Sequence, residues 1–332
     1  MAGSGHHRTP AAAGGPAPEP GIALAADAEI STGPAMLELL EARARSGLSI
    51  SVCLPARNEE ATVGHIVGTI RRELMDRVPL VSEVVVIDDA STDATAVVAR
   101  DAGARVVSEP SILADCGPGR GKGNALWKSL YACTGDIVCW VDADIRNFGP
   151  HFVTRLVAPL LTSDTTVFTK AFYRRPLHGE PTGGGRVTEL MARPLLSHLF
   201  PTLSDIVQPL AGEYAGRRDA LETIPFVQGW GVEFGLLVDL CERFGRDAIA
   251  QADLGVREHR NRPISELGAP ALAILVTALR RAGFEDLGPE ISELVRFDDD
   301  GKRELSKVAT SERPPILSIP AYRAQFGRQA TG

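Results

Sequence analysis

Two aspartates one residue apart, Asp142 and Asp144, lie at the end of the strongly apolar run IVCWVDADI. In extended backbone, residues two apart point to the same side, so both carboxylates face one site. Like charges that leave water cost several kcal/mol unless a cation accompanies them. Mg²⁺ and Mn²⁺ prefer such oxygen ligands and bind through one or two carboxylates plus substrate phosphates. The pair therefore predicts a metal–phosphate site, and the alternative is a loop-capping Asp142 with a solvated Asp144.

The chain around this pair alternates between predicted strands and helices. An apolar run at 49–54 and a valine-rich run ending at Ile87 each precede helical spacing, and the run at 137–145 follows an amphipathic helix. Strands that are apolar throughout indicate a parallel sheet with helices on both faces. Ligands of such sheets lie beyond the carboxyl ends of the strands. We therefore expect PARNEE, DDASTD and DADI to meet in one crevice.

Two glycine-rich segments add candidate anion sites. GPGRGKGNALW places Arg120 and Lys122 at a helix start, which suits a diphosphate although the spacing is not that of a Walker A loop. GGGRVTEL places Arg186 and Thr188 at another helix start, where backbone amides, a guanidinium and a hydroxyl favour phosphate or carboxylate. Exposed loop charges are the alternative for both segments. Local basic groups in an acidic chain favour a small anionic substrate.

Composition argues against several functional classes. The 332 residues carry a net charge of −7, whereas a nucleic-acid binder is typically basic. Five cysteines without a CxxC pair indicate reduced thiols in a cytoplasmic protein. The longest apolar stretch, 269–279, is shorter than the roughly 20 residues of a membrane helix. Residues 1–34 predict a disordered lead-in, without a secretory signal. We therefore expect no nucleic-acid and no membrane partner.

The order of the motifs resembles that of one enzyme family. Between about residues 49 and 267 the chain carries, in this order, LPARNEEATV, DDASTD, GKGNALW, DADI, FYRRPL, GGGRVTEL, GVEFGLL and LGVREHRNRP. This set is similar to the motifs of actinobacterial glucosyl-3-phosphoglycerate synthases, which are GT-A-type retaining glycosyltransferases. The resemblance implies an α/β fold with a Rossmann-like nucleotide-sugar-binding core, a mostly parallel sheet and an acceptor-binding second half.

The resemblance also implies a reaction. A hexose, with glucose as the first choice, passes from a nucleotide diphosphate sugar to D-3-phosphoglycerate in the presence of Mg²⁺ or Mn²⁺. Residues 35–150 then form the nucleotide-sugar half and residues 151–287 the acceptor half of the same domain. Residues 288–332 are expected to form an irregular C-terminal arm, and this long arm favours a homodimer.

Individual roles follow from the same resemblance. Metal binding is assigned to Asp144 and His259, with Asp142 as a further candidate ligand. The acceptor site is assigned to Gly185, Arg186, Thr188, Arg257 and Asn261. The donor site is assigned to Pro55, Ala56, Arg57, Glu59, Asp89, Lys122, Asp142, Ala143, Trp230, Gly231, Val232 and Glu233. Asp144 and Glu233 are the candidate catalytic residues, and Glu233 acts either as a nucleophile or through hydrogen bonds to sugar hydroxyls.

Several alternatives stay open at the level of sequence. The donor is UDP-glucose or GDP-glucose, and a mannosyl-3-phosphoglycerate synthase that uses GDP-mannose is the nearest competing function. A polyprenyl-phosphate sugar transferase shares the first-half motifs, but it needs a membrane-facing segment that the sequence does not show. A nucleotide-sugar sensor without catalysis is the third alternative, and the presence of Asp142, Asp144, His259 and Arg186 argues against it.

Overall fold

The structure is a computed structural model, and it describes residues 34–177, 180–183, 185–258, 263–284, 291–298 and 300–328. The predicted disordered lead-in, residues 1–34, lies outside this part of the chain except for its last residue. The predicted site residues His259 and Asn261 also lie outside the described residues. None of the described helices is both long enough and apolar enough to cross a membrane.

The described residues alternate between strands and helices, as the sequence predicts. The helices are α1 (Pro34–Ser46), α2 (Val63–Ile70), α3 (Thr95–Asp101), α4 (Gly121–Ala132), α5 (His151–Thr162), α6 (Arg193–Leu199), α7 (Arg218–Leu221), α8 (Val232–Phe244), α9 (Gly268–Arg281) and α10 (Pro320–Phe326). The strands are β1 (Ile50–Ala56), β2 (Glu83–Asp88), β3 (Arg105–Ser108), β4 (Ile137–Trp140), β5 (Phe168–Arg174), β6 (Pro176–Leu177), β7 (Glu180–Gly183), β8 (Tyr214–Arg217), β9 (Phe226–Val227), β10 (Ile249–Val256), β11 (Ile291–Phe297), β12 (Arg303–Ala309) and β13 (Glu312–Arg313).

Seven strands form one central sheet in the order β10-β5-β8-β4-β1-β2-β3. The pairs β1–β2, β1–β4, β2–β3 and β5–β10 are parallel, and β8 runs antiparallel to both of its neighbours, β4 and β5. Strands from both halves of the chain therefore share one sheet. This arrangement confirms the predicted α/β fold with a mostly parallel sheet.

Both faces of the sheet are buried, which explains why its strands are apolar throughout. In β1, Val52 and Leu54 pack in one apolar cluster with residues of α1, α2 and α5. The intervening Cys53 points to the opposite cluster, which contains residues of α4, α8, α9 and α10. In β2, Val84 and Val85 divide in the same way between the two clusters. The carboxyl ends of the strands are thus held between two rigid layers.

A buried arginine binds carbonyl groups in the last turn of α4 and in the segment that follows it. The Arg218 guanidinium donates hydrogen bonds to the carbonyl oxygens of Leu130 (2.6 Å), Cys133 (2.8 Å) and Gly135 (2.7 Å). These oxygens have no partner within the helix ladder, so a side-chain donor there removes the cost of burying them. The helix that carries Lys122 is therefore fixed at its far end to β8 and α7.

The sequence predicts an irregular C-terminal arm over 288–332, and for the described part of the arm this is wrong. Strands β11 and β12 form an antiparallel hairpin, β13 pairs with β9, and α10 follows. Gly301 at φ +76° makes the turn that joins the two strands. Leu294 faces α9, whereas its neighbour Val295 is exposed. The apolar residues of β11 are Ile291, Leu294, Val295 and Phe297, so the sequence lacks the period of two that would indicate a strand.

Candidate active site

The carboxyl ends of β1, β2 and β4 meet at a cavity of about 540 Å³. The predicted convergence of PARNEE, DDASTD and DADI in one crevice is therefore confirmed. Of the residues assigned to donor, acceptor and metal, those that line this cavity are Pro55, Ala56, Arg57, Glu59, Asp89, Lys122, Asp142, Ala143, Asp144, Gly185, Arg186, Thr188, Trp230, Glu233 and Arg257. Gly231 and Val232 do not line it, although they connect Trp230 to Glu233.

The loops after β1 and β2 hold each other in place. Asn58 adopts a left-handed backbone with φ +57°, and its Oδ1 accepts a hydrogen bond from the amide of Thr92 at 2.8 Å. In return, the amide of Asn58 contacts Ser91 Oγ at 3.0 Å, and Glu60 accepts the amide of Ala94 at 2.8 Å. The polar residues of both motifs thus accept hydrogen bonds from loop amides. They fix the two loops whose residues Glu59 and Asp89 line the cavity.

Arg57 and Asp89 form an ion pair at the edge of the cavity. Their closest atoms, Arg57 Nη1 and Asp89 Oδ2, lie 3.6 Å apart, and the arginine side chain is 65% exposed. Burial raises the pKa of Asp89, and the nearby Arg57 opposes this shift. The pair presents a hydrogen-bond donor and an acceptor side by side, which is the chemistry needed to contact a nucleotide base or ribose.

Asp142 lies between two cations. Its Oδ1 is 2.5 Å from Lys122 Nζ, and its Oδ2 accepts a hydrogen bond from Arg257 Nη2 at 2.8 Å. Burial acts to raise the pKa of Asp142, but the charges of Lys122 and Arg257 outweigh it and hold the pKa below its usual range. Gly212 makes this position accessible, since a Cβ there would lie 2.0 Å from Asp142 Oδ2.

Asp144 shares the same guanidinium. Arg257 Nη2 also donates to Asp144 Oδ1, at 2.9 Å, so the two carboxylates face one side as predicted. Burial raises the pKa of Asp144, against the lowering effect of Arg257. Arg257, assigned from the resemblance to the acceptor site, is thus placed against the two predicted metal ligands.

Glu213 is a site residue that the sequence analysis missed. It is fully buried, and its Oε1 accepts a hydrogen bond from Arg257 Nε at 2.8 Å. This bond orients the guanidinium towards Asp142 and Asp144. Burial raises the pKa of Glu213, and Arg257 again opposes the shift. A single acidic residue next to the apolar strand β8 was the signal, because buried acidic residues are almost always paired.

Lys170 fixes the segment that carries Gly212 and Glu213. Its Nζ donates to the carbonyl oxygen of Ala211 at 2.7 Å and lies 4.3 Å from the centre of the Tyr214 ring. Burial lowers the pKa of Lys170 to about 7. This lysine was not among the predicted site residues, because in the sequence it is one of several polar residues of β5, FTKAFYR.

Lys122 joins Asp142 to Glu233. Its Nζ lies 3.0 Å from Glu233 Oε1 and donates to the carbonyl oxygen of Gly212 at 3.2 Å. Burial acts to lower the pKa of Lys122, but Asp142 and Glu233 raise it well above its usual value. Lys122 lies at the start of α4 and Glu233 at the start of α8. A permanent positive charge is therefore held between two carboxylates at the cavity floor.

The predicted glycine–arginine loop borders the other side of the cavity. Gly185 has φ +78°, and its carbonyl oxygen accepts the amide of Glu189 at 3.1 Å, so a helical turn begins at this glycine. Arg186 and Thr188 lie in that turn, and both line the cavity. Arg175 lines it as well and donates to Tyr173 Oη at 2.8 Å. The arrangement provides basic groups and a helix start for an anion.

The two aspartates fit a divalent cation that a bound phosphate completes. Among the described residues, no three His, Cys, Asp or Glu side chains form a complete metal cluster. Mg²⁺ and related ions are commonly held by one or two carboxylates together with substrate phosphates. The Asp142–Asp144 pair therefore provides the type and number of protein ligands that such an ion needs.

Comparison with known proteins identifies the family. Residues 51–224 match the family described as Glycosyl transferase family 2. The chain is 48% identical over 280 residues to the glucosyl-3-phosphoglycerate synthase of Mycolicibacterium smegmatis, covering 83% of this chain and 91% of that protein. It is 43% identical over 303 residues to the glucosyl-3-phosphoglycerate synthase of Petrotoga mobilis, covering 88% of this chain and 93% of that protein.

Solved structures agree with these sequence matches. One is the glucosyl-3-phosphoglycerate synthase of Mycobacterium tuberculosis in complex with Mn²⁺, UDP-glucose and phosphoglyceric acid. It has a TM-score of 0.77 and 47% identity, covering 86% of this chain and 95% of that chain. The complex of the same enzyme with Mg²⁺ and UDP also has a TM-score of 0.77, at 47% identity, covering 86% of this chain and 96% of that chain. The motif resemblance is thereby confirmed, and this chain belongs to the glucosyl-3-phosphoglycerate synthase family within glycosyl transferase family 2.

Proposed function

We propose that the chain transfers glucose from UDP-glucose to D-3-phosphoglycerate, with retention at the anomeric carbon, and releases glucosyl-3-phosphoglycerate. The observation that carries this proposal is one cavity that joins the Asp142–Asp144 pair to the Arg186 loop. A diphosphate donor is commonly bound through a divalent ion on carboxylates such as this pair, and a phosphorylated acceptor needs basic groups such as those of the Arg186 loop. The M. tuberculosis relative, with UDP-glucose, phosphoglyceric acid and Mn²⁺ bound together, supports the same choice of substrates.

The donor side is built around Lys122. Its position between Asp142 and Glu233 places a fixed cation at the cavity floor, where it stabilises charge that develops on a diphosphate leaving group. We assign the metal to Asp144, Asp142 and His259, and such an ion would neutralise the same leaving group as a Lewis acid. Arg57 and Asp89 then contact the nucleoside at the cavity edge.

Glu233 contacts the donor sugar in this proposal. It lies at the start of α8, next to Trp230 in the cavity lining, and the bond from Lys122 fixes its carboxylate. A carboxylate in this place accepts hydrogen bonds from sugar hydroxyls and stabilises positive charge near the anomeric carbon. This role requires no covalent intermediate.

The acceptor side combines Gly185, Arg186 and Thr188, together with Asn261. The helical turn at Gly185 and the Arg186 guanidinium provide a site for the phosphate of 3-phosphoglycerate. Arg257 contacts Asp142 and Asp144 and lines the same cavity as this loop, so it neutralises charge near both substrates.

The reaction is tested by an assay with three donors. Purified protein receives UDP-glucose, GDP-glucose or GDP-mannose with D-3-phosphoglycerate and Mg²⁺, with and without a chelator, and products are identified by mass. We expect a hexosyl-phosphoglycerate from UDP-glucose that disappears with the chelator. Product only from GDP-mannose would replace the proposal by a mannosyltransferase. Failure of every donor would contradict it and favour a sensor or another acceptor.

The substitution Arg186→Ala should selectively weaken binding of the acceptor. A charge-assisted hydrogen bond contributes roughly 1.5–3 kcal/mol, so the KM for 3-phosphoglycerate should rise roughly 10- to 150-fold. The KM for the donor should change little. Arg193→Ala is the matched control, because Arg193 is in the following helix and pairs with Glu189 at 2.8 Å outside the cavity. Steady-state kinetics with each substrate varied in turn would contradict the assignment if only the donor KM rose.

We also propose a homodimer that buries the outer face of the β11–β12 hairpin. Val295 and Leu305 are paired across the hairpin, Phe297 lies on the same face, and all three side chains are exposed, Phe297 by 67%. Adjacent apolar side chains on a surface typically mark a contact site. A second copy of the chain supplies the same apolar face and is therefore a matching occupant.

The homodimer predicts a particle of twice 35.4 kDa in light scattering. Phe297→Glu should shift it to the monomer, because a charge in an apolar interface is costly. Val97→Glu, at an exposed position on α3, is the control and should leave the mass unchanged. A monomeric wild-type chain would refute the assembly.

We also propose that the protein is cytoplasmic. All five cysteines are free, which agrees with a reducing compartment. Recovery of the native protein with the membrane or secreted fraction of its cells would contradict this location.

A further inference from the structure

We infer that Arg313 is a positioning residue that sets the geometry of Lys122 and Glu233 from the C-terminal arm. The inference deepens the proposed function, on which it rests, since it concerns the donor side of the same cavity. Arg313 lies in β13, far from the cavity lining in sequence and outside it in space. Its contacts reach the loop that leads into Lys122.

The Arg313 side chain binds that loop through its whole fork. It is 7% exposed, and Nη1 and Nη2 donate to the carbonyl oxygens of Cys116 (2.7 Å) and Gly117 (2.8 Å). Nε donates to Asn124 Oδ1 at 2.8 Å, and the guanidinium lies 5.2 Å from the centre of the Trp127 ring. A planar fork that binds two successive carbonyls fixes a loop more rigidly than a single charge does.

A buried polar network fixes Asn124, the side chain that Arg313 Nε contacts. The amide group of Asn124 donates to Glu109 Oε1, and the same oxygen lies 2.9 Å from Lys128 Nζ. Gly119 lies directly on the network, because a Cβ there would be 1.9 Å from Asn124 Oδ1 and 2.6 Å from Arg313 Nη2. The loop before Lys122 therefore packs directly against the Asn124 side chain and against Arg313, which holds that side chain in place.

The arm also binds the loop that leads into Glu233. The amide of Gln228 donates to the carbonyl oxygen of Ser311 at 2.8 Å, and Gln228 Nε2 contacts Ser311 Oγ at 3.1 Å. Gln228 Oε1 accepts the amide of Arg120 at 2.8 Å, and the amide of Gly229 donates to the carbonyl oxygen of Arg120 at 3.1 Å. One glutamine thus ties the arm to both loops.

The two loops touch so closely that glycine is required between them. A Cβ on Gly121 would lie 2.9 Å from Gly229 Cα, and a Cβ on Gly123 would lie 1.8 Å from the carbonyl oxygen of Val227. A shift of one loop is consequently transmitted to the other. The 3.0 Å separation of Lys122 Nζ and Glu233 Oε1 therefore depends on the clamp formed by residues 311–313.

A third contact fixes the arm to the helix of Glu233. Arg281 in α9 binds Asp239 of α8 through Nε and Nη2, at 2.5 and 2.8 Å, and binds Glu312 of β13 through Nη1 at 2.5 Å. The residue before Arg313 is thus anchored to α8 itself. Residues 311–313 of the arm therefore contact the segments that lead into both α4 and α8.

The test uses three variants with a matched control. Arg313→Met removes the fork, Arg313→Lys keeps the charge without the fork, and Gln228→Ala cuts the second tie at a partly buried position. Arg323→Met is the control, because Arg323 also donates to two carbonyls of the arm, those of Leu317 and Ser318, and none of its bonds reaches either loop.

We expect Arg313→Met to raise the KM for the nucleotide sugar and to lower kcat, with at least about a tenfold loss in kcat/KM for the donor. The KM for 3-phosphoglycerate should stay within about twofold, because the hydrogen bonds of Arg313 go to Cys116, Gly117 and Asn124 and not to the Arg186 loop. Arg313→Lys should recover little of the loss, Gln228→Ala should show a smaller loss of the same kind, and Arg323→Met should resemble the wild type.

Calorimetry with UDP and Mn²⁺ separates this inference from the reaction itself. Arg313→Met should bind UDP more weakly than both the wild type and Arg323→Met, whichever sugar is transferred. A wild-type chain that binds UDP without making product would refute the proposed reaction while this comparison still decides the positioning role. Wild-type donor parameters in folded Arg313→Met would overturn the inference. The inference would also be overturned if Arg313→Met lost kcat/KM equally for both substrates and Gln228→Ala behaved as the wild type.

Discussion

The structure depends on the neutralisation of several carboxylates at one edge of the sheet. In the described part of the chain, four carboxylates contact two cations, and these groups are Asp142, Asp144, Glu213, Glu233, Lys122 and Arg257. Such a cluster is stable only if each acid has a cation or a hydrogen-bond donor at close range. The excess of negative over positive charge in this cluster favours a divalent cation, and such an ion would attract the phosphates of the donor, which would complete its ligands.

The backbone around the cluster is shaped to let these charges approach. Gly212 leaves room for the Asp142 carboxylate, and Gly121 lets the loops of Lys122 and Glu233 touch. Lys170 holds the segment of Gly212 from beneath through the carbonyl oxygen of Ala211. The C-terminal arm then fixes the same loops from outside. The geometry of the cavity is therefore set by two glycines that line it and by residues outside the lining, such as Lys170 and Arg313.

Much of this site could be predicted from the sequence because its residues stand in local motifs at strand ends and helix starts. Asp142 and Asp144 end an apolar run, and Lys122 and Arg186 follow glycines. Glu213 could not be predicted in the same way, since its partner Arg257 is 44 residues away and the contact depends on how β8 and β10 flank β5. The guanidinium of Arg313 contacts Gly117 across 196 residues of sequence, and the apolar residues of β11 in the same arm show no period of two.

The proposed function depends on Asp144 as part of a metal site that binds the donor diphosphate. Calorimetric titration of UDP into the wild type and Asp144→Asn, each with and without Mn²⁺, tests it most directly. The substitution keeps the shape of the side chain and removes its charge, and the oxygen that Arg257 contacts has a counterpart in asparagine. We expect Mn²⁺ to strengthen UDP binding by the wild type and to have little effect on Asp144→Asn. An equal gain from Mn²⁺ in both proteins would contradict it.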